Sequence, residues 1–376
     1  MKYTRSLITT IAVFVCFSQA LRGMAPPTLP GNFEKLPPYV QKDIISKLSD
    51  RDLARLAQTS KQASKVLEDA LAQRHLQATI ELSLWESRIK IDFSSRIRNY
   101  PSLDQFKQEV LNTLAKTAKK YPEQWISLDL GDNNLGSLSN KELKEFFQSI
   151  AKYNVVELFL FSNQLTSLPE NIFNNLHNLR ILWLCNNQLT SLPEKIFNNL
   201  HNLRELFLYD NQLTSLPEKI FNNLHKLQML ELYDNQLTSL PEKIFNNLHK
   251  LQMLELCNNQ LTSLPEKIFN NLHNLRELFL YDNQLTSLPE KIFNNLPNLR
   301  KLSLYDNRLN SLPENIFNNL HNLQWLNLSF NQLTYLPEKI FNQLLKLREL
   351  NLSYNQLRDT EKQSIRRKLT NIKIIF

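Results

Sequence analysis

Residues 203–226 read LRELFLYDNQLTSLPEKIFNNLHK, and the chain repeats this unit every 24 residues without a slip. Copies begin at Val155, Leu179, Leu203, Leu227, Leu251, Leu275, Leu299 and Leu323, with a partial one from Leu347. A fixed period of this length points to a stacked-repeat architecture. Within the unit Leu203, Leu206 and Leu208 alternate with outward residues, as a short parallel strand requires. Asn211 follows the strand, with equivalents at 163, 187, 235, 259, 283, 307, 331 and 355. An amide both donates and accepts, so stacked copies can satisfy backbone groups left open where the chain turns; an Asp would lose the donors. Leu213 and Leu216 return the chain inward, Pro217 stiffens the convex side, and Ile220, Phe221 and Leu224 complete the core. The phenylalanines at 173, 197, 221, 245, 269, 293, 317 and 341 are expected to form one continuous aromatic spine.

Composition excludes several function classes. The 376 residues include 73 leucines but only 4 glycines, and none of the glycines lies within 155–376. Average usage would give roughly 26 glycines. A fold built on glycine turns or phosphate loops is thereby excluded, and no cofactor motif is present. Net charge is +8, of which residues 1–154 carry +6 (22 basic, 16 acidic) and residues 155–376 carry +2 (22 basic, 20 acidic). No basic run with interleaved aromatics appears, so the balance does not point to nucleic acid. Cys16, Cys185 and Cys257 are too few for a disulfide scaffold or a cysteine zinc site.

The unit resembles the 24-residue typical class of the leucine-rich repeat family, with the pattern LxxLxLxxNxLxxLPxxxFxxLxx matched across residues 155–346. The resemblance implies an α/β repeat fold, a curved solenoid with a parallel sheet on its concave face. It is strongest to extracellular members, which usually carry cysteine-stapled caps that are absent here. Other caps are therefore needed. Trp125 to Leu135 reads as an irregular first repeat, and Ser139 with Glu142 forms a capping box opening a helix over Lys141 to Lys152. At the far end Thr360 to Leu369 reads as a helix, and Asn371 to Phe376 as a last strand.

Two modules precede the array. Residues 1–20 have Lys2 and Arg5, then an apolar run from Leu7 to Phe17, then Ser18-Gln19-Ala20. This reads as a secretory signal peptide, too short to span a membrane, and implies a secreted or exported protein. No other segment is long and apolar enough to span. Residues 33–76 form three short helical patterns whose order, LPxxVxxxIIxxLxxxDLxxLxxTSK, resembles an F-box. That family docks substrate receptors onto the adaptor of a cullin-type ubiquitin ligase. Carried over by position, Leu36, Pro37, Ile44, Leu48 and Leu53 would meet the adaptor. The alternative is a helical cap or spacer with no such role. A signal peptide and an F-box coexist most easily in secreted proteins of intracellular bacteria, where an effector mimics a host receptor. Residues 77–124 read as a helical linker, with Leu103 to Lys120 amphipathic through Phe106, Val110 and Leu114. The array with its caps then occupies 125–376.

Strand positions facing away from the core give the expected binding surface. An aromatic stripe runs through Phe159, Trp183, Phe207, Tyr209, Tyr233, Phe279, Tyr281, Tyr305 and Trp325. Acids lie among and beside it: Glu205, Glu231, Glu255 and Glu277, with Asp210, Asp234, Asp282 and Asp306 along the border. At about 4.8 Å per strand, nine strands give a face on the order of 40 Å long. Aromatic area of that size calls for a partner, and a basic or mixed protein surface fits the acidic border where nucleic acid would be repelled. Histidines at 177, 201, 225, 249, 273 and 321 share one repeat position with no Cys or Asp at ligand spacing, so a metal site is not expected. Their stacking leads instead to the expectation that acidification below about pH 6 loosens the array. Cys185 and Cys257 lie three repeats apart, beyond disulfide reach, with no His–carboxylate pair beside either. The sequence thus describes a non-enzymatic interaction protein.

Overall fold

The computed structural model describes residues 79–83 and 88–376. The readings at residues 1–20 and 33–76, with Leu36, Pro37, Ile44, Leu48 and Leu53, lie outside the described residues.

One sheet of thirteen strands runs in strict chain order. It begins with β1 (Thr79–Ser83), β2 (Arg88–Asp92), β3 (Trp125–Asp129) and β4 (Val155–Phe159). The three-residue strands of the regular repeats follow: β5 (Ile181–Trp183), β6 (Glu205–Phe207), β7 (Met229–Glu231), β8 (Met253–Glu255), β9 (Glu277–Phe279), β10 (Lys301–Ser303), β11 (Trp325–Asn327) and β12 (Glu349–Asn351). The cap strand β13 (Lys373–Ile375) ends the sheet. Pairing from β2 onward is parallel, and from β4 each strand meets the next at the same repeat position, as Glu231 meets Glu255. The solenoid with a parallel sheet expected from the period is what forms, its regular repeats returning through turns rather than helices.

Among the described residues three α-helices flank it: α1 (Leu103–Lys120), α2 (Asn140–Ile150) and α3 (Asp359–Lys368). Ser102 caps α1, and Phe106, Val110 and Leu114 are its buried face. Ser139 and Glu142 form the capping box of α2, as their spacing predicts. The segment read as a helical linker holds more than its helix. Ile89, Ile91 and Phe93 alternate inward, fully buried, and β2 pairs with β3 along its whole length. The sheet therefore starts before the boundary placed at residue 125, because an alternating strand can dock on the stack without the leucine signature. Gly131 and Gly136 sit in this irregular part, where a Cβ would strike the Phe161 ring and the Gln164 carbonyl respectively.

Two ladders hold the regular turns together. The leucines at the strand positions are fully buried, as are the phenylalanines at 173, 197, 221, 245, 269, 293 and 317. From Phe173 to Phe341 successive rings stack with centroids 6.3–6.5 Å apart. Phe147 of α2 closes the near end edge-on at 5.9 Å. The second ladder is amide. Asn235 Nδ2 donates to the carbonyls of Leu208, Leu232 and Tyr233 at 3.0–3.2 Å, while its Oδ1 accepts from the Leu213 amide at 3.0 Å. Donor and acceptor are both used, which is why the position is Asn. A further ladder was not read from the sequence: Asn223, Asn247 and Asn271 each donate to the Asn carbonyl of the preceding repeat at 3.0 Å.

The six histidines at the shared position are all exposed. Solvent screens charges placed there, which weakens the mutual repulsion on which the expected loosening rests.

Candidate protein-binding face

The open face of the sheet is built by two residues of each short strand. In one row the register aligns Phe159, Trp183, Phe207, Glu231, Glu255 and Phe279 side by side. In the parallel row it aligns Glu205, Met229, Met253, Glu277, Lys301, Trp325 and Glu349. Tyr209, Tyr233, Tyr281 and Tyr305 come next along the chain, past the strand ends. The register thus aligns the expected strand residues along one face of the sheet.

Their contacts are uneven. Trp183 touches the rings of Phe159 (5.2 Å), Phe161 (6.2 Å) and Phe207 (4.8 Å). Phe207 is only 7% exposed, so it is floor rather than contact surface, with Trp183 and Tyr209 packed on it. Tyr209 and Tyr233 stack with centroids 4.5 Å apart and planes 6° from parallel. Cys257 then interrupts the row, and a second group follows: Phe279 beside Tyr281, and Tyr281 6.1 Å from Tyr305. Tyr305 continues into Phe330 at 5.3 Å, and Phe330 stacks on Tyr354 at 4.0 Å. These last two are exposed, and sequence reasoning missed them. The signal was available, since they stand where six of the other repeats have Asp or Asn.

That position has a backbone requirement. Asp210, Asp234, Asp282 and Asp306 all have φ between 47° and 51°, and Asn186 and Asn258 share the conformation. Asn and Asp tolerate the left-handed region because their short side chains hydrogen-bond locally. The acidic border therefore follows from turn geometry as much as from any ligand. Phe330 and Tyr354, at φ 52° and 53°, occupy the same region without that tolerance.

Electrostatics single out the middle of the face. Burial, with Glu255 and Glu205 close by, pushes the Glu231 carboxyl up to about 7. Burial also raises Glu205 and Glu255, with like charges adding to it. Glu277 pairs with Lys301 at 2.9 Å, whereas no ion pair reaches Glu231 or Glu255 among the described residues. On the border, burial and a hydrogen-bonded Asp306 raise Asp282 to about 6. Asp234 accepts from Asn258 Nδ2 at 2.6 Å. At the near end burial raises Asp129 to about 6.

The thiols have a different character. Cys185 and Cys257 are free and buried, and burial pushes them up to about 11 and about 12. A thiol so placed is protonated at neutral pH and a poor nucleophile. Among the described residues no group of three or more His, Cys, Asp or Glu could hold a metal ion, and no helix is long and apolar enough to cross a membrane.

A parallel one-strand-per-turn stack with an asparagine ladder and an open sheet face defines a leucine-rich repeat solenoid. Family models agree: the model described as leucine rich repeat matches residues 249–309 and 297–357. The BspA-type leucine rich repeat region, in six copies, matches 144–276. Together they span more than half of the chain, which belongs to the leucine-rich repeat proteins. An F-box domain model matches residues 33–70. No curated protein sequence matches the chain. Among solved structures, one chain of the glycosylated Drosophila Toll–Spatzle complex is similar at 30% identity and TM-score 0.58, covering 64% of this chain and 31% of that one. A chain of the TLR13–ssRNA13 complex is similar at 26% identity and TM-score 0.60, covering 83% of this chain and 38% of that one. The chain thus spans about a third of the length of these structures.

Proposed function

We propose that the chain is a non-enzymatic protein receptor in two parts. The sheet face of the array holds a protein target, and the F-box segment docks that target onto the adaptor of a cullin-type ubiquitin ligase. The observation that carries this reading is the pairing of an F-box match at 33–70 with a long repeat array that presents an open aromatic face. Half-buried rings on an open face, such as Trp183, Tyr209 and Tyr233, are typical of the residues that dominate protein interfaces. In this reading residues 1–20 export the protein, and the ligase belongs to a host cell that it enters.

Purified full chain is mixed with a eukaryotic cullin-ligase adaptor and the complex is recovered by pull-down. Wild type is expected to retain the adaptor and the Leu36→Ala/Pro37→Ala variant to lose it. Equally poor recovery by both removes the ligase role. The Toll–Spatzle likeness favours a second reading, in which the chain is a secreted or surface recognition protein and the helical module only caps the solenoid. A target that binds the wild type and the Leu36→Ala/Pro37→Ala variant alike, with no adaptor bound to either, is the result expected of that reading.

A further inference from the structure

We propose that the sheet face takes an extended cationic segment of its protein partner, with lysine or arginine side chains seated on two tyrosine platforms and over the neighbouring carboxylates of Glu231 and Glu255. The proposal rests on the protein-binding reading above and adds the chemistry of the partner.

The platforms are Tyr209–Tyr233 and Tyr281–Tyr305, separated by the one repeat in which Cys257 replaces the ring. Each is bordered by two carboxylates, Asp210 and Asp234 at the first, Asp282 and Asp306 at the second. A cation over a ring face is attracted by the ring's quadrupole, and an adjacent carboxylate adds Coulomb attraction. Glu231, in the repeat of Tyr233, and Glu255, in the repeat between the platforms, sit side by side in register, half-buried and without an ion-pair partner among the described residues. Phe207 and Phe279 close that row on either side and lower the local dielectric. Two like charges held beside apolar walls are a folding cost that a bound cation removes.

Spacing makes the match more specific. The platforms lie three strands apart, about 14 Å, which an extended peptide covers in about four residues. A segment crossing the strands with basic residues at that interval can occupy both. Attraction through overall charge does not explain such binding, because the chain carries +8 and repels a cationic peptide at long range.

The test is fluorescence anisotropy at low salt with labelled nona-arginine and nona-glutamate peptides on the full chain. Four proteins are compared: wild type, Glu231→Gln/Glu255→Gln on the face, Glu218→Gln/Glu242→Gln among exposed residues of the convex turns, and Tyr209→Ala/Tyr281→Ala on the platforms. The expected result is nona-arginine binding that weakens at least tenfold in the first variant and stays unchanged in the second. Binding that weakens equally in both glutamate variants, or in neither, overturns the proposal, as does no nona-arginine binding by wild type. Nona-glutamate binding that disappears in Tyr209→Ala/Tyr281→Ala also overturns it, while leaving the face a protein-binding surface of opposite chemistry.

Discussion

Asn235 offers the sharpest test of how the array is held together. Its side chain is 7% exposed and serves three carbonyls and one amide at once. Two of those groups, the Leu208 carbonyl and the Leu213 amide, belong to the preceding repeat and are buried with it. Asn235→Ala strands the Leu213 amide, whereas the Leu208 carbonyl keeps the Asn211 Nδ2 donor at 3.1 Å. At about 1–3 kcal/mol for an unpaired buried group, the expected loss is about 1–3 kcal/mol. Asn235→Asp keeps the size and the acceptor but turns an ionised oxygen toward the carbonyls, so at pH 8 it is expected to cost at least as much as Ala. The sign of its pH dependence is fixed. Burial among carbonyl oxygens raises the folded pKa of the new carboxyl, so its stability deficit grows as pH rises and shrinks when protonation restores an O–H donor. Urea titrations followed by tryptophan fluorescence measure this, with Trp183 and Trp325 reporting from either side of the lesion. The Ala variant should be offset from wild type by a similar amount at pH 5 and pH 8, and the Asp variant much more at pH 8. An Asp variant within about 0.5 kcal/mol of wild type at pH 8 refutes the ladder as the reason for asparagine.

Acidification should tighten the array. Glu231 has a folded pKa near 7 against an ordinary value of 4.5, so the folded chain binds the extra proton and stability rises as pH falls through that window. Thermal melts should show a higher midpoint at pH 5.5 than at 7.5, with the difference reduced in Glu231→Gln; a midpoint that falls on acidification contradicts this. Phe245, fully buried with stacked neighbours on both sides, should cost about 3–5 kcal/mol when replaced by Ala, read as a shift in the urea midpoint. Cys185 and Cys257 should react with a thiol reagent only as fast as the native chain opens, and promptly in denaturant. Prompt reaction of either in the native chain would place it on the surface.

The solenoid was legible because the repeat states its own geometry. Leu203, Leu206 and Leu208 specify a strand, Asn211 specifies the turn, and Phe221 specifies the spine, each confirmed nine-tenths or more buried. The strand at Arg88–Asp92 was not legible, because a long helix separates it from the next strand and hides the period. Its alternation of Ile89, Ile91 and Phe93 was the only clue. The acidic border was read as ligand chemistry alone, since a positive φ leaves no mark in spacing. It shows only as the recurrence of Asp and Asn, and as the oddity of Phe330 and Tyr354 in their place. Phe207 was placed on the open surface because a strand position gives direction but not the reach of the neighbouring Trp183 ring.

The core of the regular array is made by equivalent positions in register: phenylalanine stacks on phenylalanine, leucine pairs with leucine, and each asparagine bonds the same backbone groups of the repeat before it. A chain that loops out residues 227–250 and docks 203–226 directly on 251–274 satisfies the same contacts, because the two skipped surfaces are interchangeable. Local contacts therefore do not number the repeats. The parts that break the translation symmetry, α2 with Phe147 at one end and α3 with β13 at the other, fix where the stack begins and ends but not how many repeats lie between. The outward rows of side chains are the only record of which repeat is which, and an array that miscounts by one keeps its core while presenting a different face.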